Sequence, residues 1–262
     1  MALTGIADVD MKILQELNDD EIYKVCSVNK YVSKLCNNDN FWLNRLLLNK
    51  YYDSEELREI KGDFTYKEIY RYLTIDFELG ALKAAEKNNV YLLNAIKIKH
   101  SVYLFRDILI SEAAKNESFD ILTSLFLDEL DEDKRTNLVD LIYFTDNEKS
   151  IEWIFKNNLS TYESFIGFLI HNNYNDYTQK QLKKYIPRMK PLTGDDFAFE
   201  LGESLEMYDL ESREKIFDLF LSSKKIVDIK NSVGLAIEGM ESKDINEKER
   251  KGWIKFLSNK IK

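Results

Sequence analysis

Two prolines and nine glycines are all that punctuate these 262 residues. Sandwiches and barrels need a turn signal roughly every ten residues, and this chain cannot supply them. Its apolar residues instead recur at three- and four-residue spacing, as at Val9, Ile13, Leu14 and Leu17, which is one face of an amphipathic helix. The expected fold class is all-α, helices joined by short polar turns.

Composition narrows the function classes. Charged residues make up 32% and hydrophobic ones 44% of the chain, a balance that buries a core rather than staying disordered. The length suits about two domains. A net charge of -9 repels phosphate backbones. Its two basic clusters, Lys183-Lys184 with Arg188 and Lys190, and Lys248 with Arg250-Lys251, are short. The second is interleaved with Glu247 and Glu249, so no nucleic-acid partner is expected. No run reaches the roughly 18 apolar residues of a membrane span, and the N-terminus lacks a signal-peptide pattern. The expected location is intracellular, not secreted. Cys26 and Cys36, the only cysteines, read as two buried thiols in a reducing compartment, with a disulfide as the alternative.

Catalysis needs convergent reactive groups, and the sequence offers none. His100 and His171 each follow a helix-like segment and read as helix caps or surface residues. Two Cys and two His at these spacings make no zinc signature. No phosphate loop or nucleophile elbow is present. The acidic run Asp128 to Asp133 reads as a solvated loop. No enzyme activity, cofactor or metal is expected.

Residues 1–50 carry the densest pattern. Asn18-Asp19-Asp20 ends a first helix and can cap a second bearing Ile22, Val25 and Cys26. Val32, Leu35 and Cys36 form a third stripe, and Asn37-Asn38-Asp39 turns the chain into a helix with Phe41, Trp42, Leu46 and Leu47. The order Val9-Asp10, Ile13-Leu14, Leu17, Asp20-Glu21-Ile22, Val25-Cys26-Ser27-Val28-Asn29-Lys30, Leu35-Cys36, Asp39 and Phe41-Trp42 resembles an F-box. It is most similar to the F-box-like proteins of large DNA viruses. The Leu-Pro that usually opens the motif is replaced by Ile6-Ala7-Asp8-Val9.

Residues 51–78 read as connecting helices, with Thr65 and Glu68 forming a capping box. From residue 79 to 262 the chain repeats loosely at roughly thirty residues. Helical segments meet at polar turns: Asn88-Asn89, Asn116-Glu117, Asp146-Asn147 and Asn172-Asn173. Small pairs, Ala84-Ala85 and Ala113-Ala114, allow close helix approach. Pro187 to Pro191 marks a kink. Beyond it, Phe197-Ala198-Phe199 with Ile216-Phe217, and Ala236-Ile237 with Trp253-Ile254, read as two more hairpins. The spacing suits a solenoid of stacked helical hairpins, and the Leu92-Leu93 doublet after Asn88-Asn89 resembles degenerate ankyrin repeats. The Thr-Pro-Leu-His opening of that family is absent.

The two resemblances imply an adaptor. The bundle would dock on the Skp-type linker of a cullin-RING ubiquitin ligase through Val9, Ile13, Leu14, Leu17, Ile22 and Val25, and the array would hold a protein target. In a viral setting the compartment would be the host cytoplasm or nucleus. The alternative is a viral structural or host-factor-binding scaffold with no ligase role.

Overall fold

In a computed structural model the described residues are 3–28, 30–48, 52–127, 129, 131–172, 176–193, 210–241 and 247–260. They form seventeen α-helices and no strand; the one extended contact is an isolated bridge between Leu192 and Ile226. The chain divides into two compact units, residues 1–153 and 154–262. The segments expected at 1–50 and 51–78 both lie inside the first.

The first unit opens with four short helices, α1 (Ala7–Gln15), α2 (Asp19–Cys26), α3 (Lys30–Cys36) and α4 (Asp39–Leu48). Asn18 caps α2 in a reciprocal box with Glu21, satisfying N–H groups that a helix start leaves orphaned. Two connecting helices follow, α5 (Ser54–Lys61) and α6 (Tyr66–Thr74), opened by capping boxes from Asp53 with Glu56 and from Thr65 with Glu68. Helix α6 packs on α4 and fastens the four-helix segment to the rest of the unit.

Next come α7 (Phe77–Glu86), α8 (Val90–Lys99), α9 (Arg106–Lys115), α10 (Phe119–Leu127), α11 (Glu132–Tyr143) and α12 (Glu148–Lys156). Helix α7 packs on α8 and α9 on α10, and the turns after α7, α9 and α11 share a left-handed pivot: Asn88, Glu117 and Asp146, each 29 residues after the last, have φ of 52°, 59° and 56°. At the first two, the next N–H reaches back to close the helix end, Asn89 to the Ala84 carbonyl at 2.9 Å and Ser118 to the Ala113 carbonyl at 2.8 Å. That is the Schellman geometry, here without glycine.

The same turns link one pair to the next. The Asn88 side chain accepts from the Asp120 N–H at 3.1 Å and donates to its carboxylate at 2.8 Å. Ser150 Oγ donates to the Ala114 carbonyl at 2.6 Å, and Lys149 pairs with Glu117 at 2.7 Å. The alternate helices α7, α9 and α11 pack side by side, floored by Ala81, Ala84, Ile110, Ala113, Val139 and Ile142, all buried. The acidic run departs from its expected solvated state at Glu129, which is buried and salt-bridged to Arg106. An arginine that reaches the Leu125 carbonyl as well needs a counter-charge at that depth.

In the second unit, α13 (Tyr162–His171) packs on α14 (Asp176–Tyr185). Tyr185 is fully buried among Phe155, Tyr162 and Phe165, with the Arg188 guanidinium over its ring at 5.4 Å. The expected break falls at a short 3-10 turn, Ile186–Arg188, that contains Pro187. Three helices follow: α15 (Leu210–Ser222), α16 (Ile229–Glu241) and α17 (Glu247–Lys260). Helix α17 packs on both others, meeting α15 where Trp253 and Phe256 set their rings edge-on to Phe217. Asn173 and Phe197 to Phe199 lie outside the described residues.

Gly80 tests the helix contact. A Cβ there would sit 2.5 Å from the Tyr72 Cβ and 3.0 Å from the Ile96 Cδ1. Alanine gains roughly 0.5–1 kcal/mol of helix propensity, but the clash is with an atom fixed to the α6 backbone, and overpacking costs about 1–3 kcal/mol. Gly80→Ala is therefore expected to lower the urea midpoint despite the better helix former.

Candidate partner-binding face

The four-helix segment is held from inside by one cation. Arg45, in the middle of α4, is 5% exposed. Its guanidinium donates to the carbonyls of Leu14 (3.3 Å), Gln15 (3.1 Å) and Leu17 (2.6 Å) where α1 ends, and to Asp19 (3.1 Å) where α2 begins. Its Nε donates to the Tyr70 hydroxyl of α6 at 2.6 Å, and that hydroxyl in turn donates to Asp19. One side chain thus satisfies the orphaned end of α1 and ties four helices together. Burial, with the Asp19 hydrogen bond, pushes the Tyr70 phenol well above its ordinary value, keeping it a neutral donor.

Around this cation lies the aromatic core. Trp42 is fully buried, stacked on Tyr23 with centroids 5.3 Å apart and tilted against Tyr70 at 5.1 Å, with the Phe41 ring edge-on. Its indole N–H donates to the Cys36 carbonyl at 2.6 Å. Trp42 and Leu46 close the segment internally, as their spacing indicates.

Leu14 and Ile22 close it too. Both are 0% exposed, which corrects their assignment to an outward face: their helices turn them into the interior, so neither is free to meet a partner. Ile13, Leu17 and Val25 are half-buried, and only Val9 of the six lies open. Exposed apolar residues near the starts of α1 and α3 are Ile6 at 61%, Val9 at 41% and Val28 at 71%, and Leu48 at the end of α4 is 62% exposed. Ile6 and Val28 stand just outside the helices, where no periodicity in the sequence marks them.

Asp10 braces this face from beneath. Its carboxylate, fully buried, accepts from the Thr4 N–H (2.7 Å), the Thr4 hydroxyl (2.9 Å), the Gly5 N–H (2.9 Å) and the Tyr31 hydroxyl of α3 (2.7 Å). Burial alone would raise its pKa, but these four donors together hold it below the ordinary carboxylate range. Their stabilisation is complete above that range and is lost as pH falls through the lower folded-state value. Behind the face, α1 and α4 flank an open groove of about 820 Å³ whose lining includes Met11, Phe41, Leu47 and Leu48.

Cys26 and Cys36 form a disulfide, with Cα atoms 5.8 Å apart. This corrects the expectation of two thiols. The C-terminal ends of α2 and α3 converge, so the sulfurs meet although the helices run through separate stripes. The bond closes the loop from the end of α2 through α3, which carries Val28 and Tyr31.

No group of three or more His, Cys, Asp or Glu could hold a metal ion among the described residues. His100 ends α8 and stacks on Phe77 at 4.2 Å, and His171 is the exposed last residue of α13. No helix among the described residues is long and apolar enough to cross a membrane. Compared with known proteins, the chain matches no family model, no curated protein and no solved structure.

Two outcomes follow for this site. Arg45→Met leaves three carbonyls without their donor and Asp19, whose side chain is 46% exposed, with only the Tyr70 hydroxyl; it is expected to cost at least the roughly 1–3 kcal/mol of an unsatisfied buried acceptor in urea unfolding. Unreduced protein should resist alkylation by iodoacetamide while unfolded, and take up two labels after reduction. Because the bond closes a short loop, reduction should cost about 2–3 kcal/mol.

Proposed function

We propose that this chain is a non-enzymatic interaction adaptor. Its N-terminal four-helix segment acts as an F-box-like module that docks on the Skp-type linker of a cullin-RING ubiquitin ligase. The helix pairs that follow form a solenoid of stacked hairpins that holds a protein target. The observation that carries this reading is the apolar surface left open by Ile6, Val9 and Val28 on a segment whose own core is already closed by Leu14, Ile22 and Trp42. Such residues on an already closed core are where a partner would gain by covering them. The 29-residue interval of the left-handed turns supports the solenoid, since each pair hands hydrogen bonds to the next.

A second reading is a scaffold without a ligase role, in the same host-cell setting of a large DNA virus. It draws on the burial of Leu14 and Ile22, which narrows the face a linker could grip. Co-purification with a purified Skp-type linker separates the two. Parent protein should be retained, and a Val9→Asp plus Val28→Asp variant should be lost while keeping the parent's circular dichroism, because both side chains already face water. A folded parent that is not retained would favour the scaffold.

A further inference from the structure

The helix pairs carry a duplicated surface motif. Just before and within α7, Ile75, Glu78 and Leu79 are exposed; 29 residues later, Leu104 in the 3-10 turn before α9 and Asp107 and Ile108 in its first turn are exposed. Glu78 and Leu79 likewise lie in the first turn of α7, and Ile75 and Leu104 in the segments that lead into the two helices. Helices α7 and α9 pack against each other, so the two triplets lie beside one another at an interaxial distance of about 8–10 Å. Leu104 is 92% exposed and Ile108 58%, and it is neighbouring rather than scattered exposed aliphatics that mark a binding surface. Ile98 and Leu127, also 29 residues apart and exposed at the ends of α8 and α10, repeat the pattern.

The acids give the surface its sign. Asp76, close by, is neutralised by Arg71. Glu78 and Asp107 make no ion pair among the described residues. Two carboxylates without an ion-pair partner, flanked by four aliphatics, complement a cationic, apolar ligand.

The geometry points to this surface as the docking site for a basic amphipathic helix of a partner protein, with Lys or Arg residues two turns apart meeting Glu78 and Asp107 and aliphatic residues between them covering Leu79, Leu104 and Ile108. A rise of 1.5 Å per residue puts side chains seven apart at about 10 Å, the spacing of the two packed helices. This names the chemistry of the target in the adaptor reading and rests on the hairpins being its target-holding part.

The test uses the intact chain and a synthetic amphipathic peptide with lysines seven residues apart and leucines at the positions between, followed by fluorescence anisotropy. A peptide of the same composition in scrambled order is the reference. Parent protein should bind the ordered peptide at least about tenfold more tightly than the scrambled one. Glu78→Lys plus Asp107→Lys, and separately Leu79→Ser plus Ile108→Ser, should each erase that preference. Glu59→Lys plus Asp63→Lys, exposed acids elsewhere on the same unit with the same charge change, should keep it. No preference in the parent, equal loss in the Glu59/Asp63 variant, or full binding by either surface variant would each overturn the proposal. The linker is absent from this assay, so failure here leaves linker docking standing, and failure of linker docking leaves this surface standing.

Discussion

A guanidinium buried among carbonyls sets the architecture of the first fifty residues. Helices as short as α1 to α4 are marginal alone, and each leaves unsatisfied backbone groups at its ends. Arg45 turns that liability into a fastening: the carbonyls that end α1 become its acceptors, Asp19 at the start of α2 supplies the counter-charge, and Tyr70 brings in α6. The Trp42 core then packs against elements already fixed in position. Because the cation satisfies the interior, Ile6, Val9 and Val28 are not needed there, and the outer apolar surface is a consequence of the inner polar one.

The helix pairs solve a similar problem by repetition. A left-handed pivot normally favours glycine, yet Asn88, Glu117 and Asp146 occupy it. Asn and Asp tolerate that conformation because a short polar side chain can bond locally. Here the Asn88 amide bonds instead to Asp120 and Ile121 of the following pair. Glu117 is the outlier by residue type; its carboxylate reaches Lys149 of the next pair, so its link across pairs is an ion pair.

Much of this was legible in the residues. The all-helical class follows from the scarcity of prolines and glycines. The caps at Asn18 and Thr65 announce themselves by a Glu three positions on, and the polar doublets mark the turns of the first three pairs. What was not legible depends on which helix faces which. A four-residue spacing groups Val9 with Ile13 but does not say that Leu14 is turned inward and Val9 outward. Nothing in the run Phe41 to Leu48 distinguishes Arg45 from a surface arginine. Cys26 and Cys36 are joined because two helix ends converge, and Glu129 is buried because Arg106 waits for it. Both are facts of tertiary contact, invisible to periodicity.

The central claim is that the N-terminal face is a free docking surface, separate from the surface of the helix pairs. Hydrogen–deuterium exchange of the intact chain, alone and with a saturating Skp-type linker, tests it most directly. The account predicts new protection confined to residues 6–13 and 25–34, with exchange across α7 to α12 unchanged. Unaltered exchange throughout, or protection appearing on α7 and α9 instead, would contradict it.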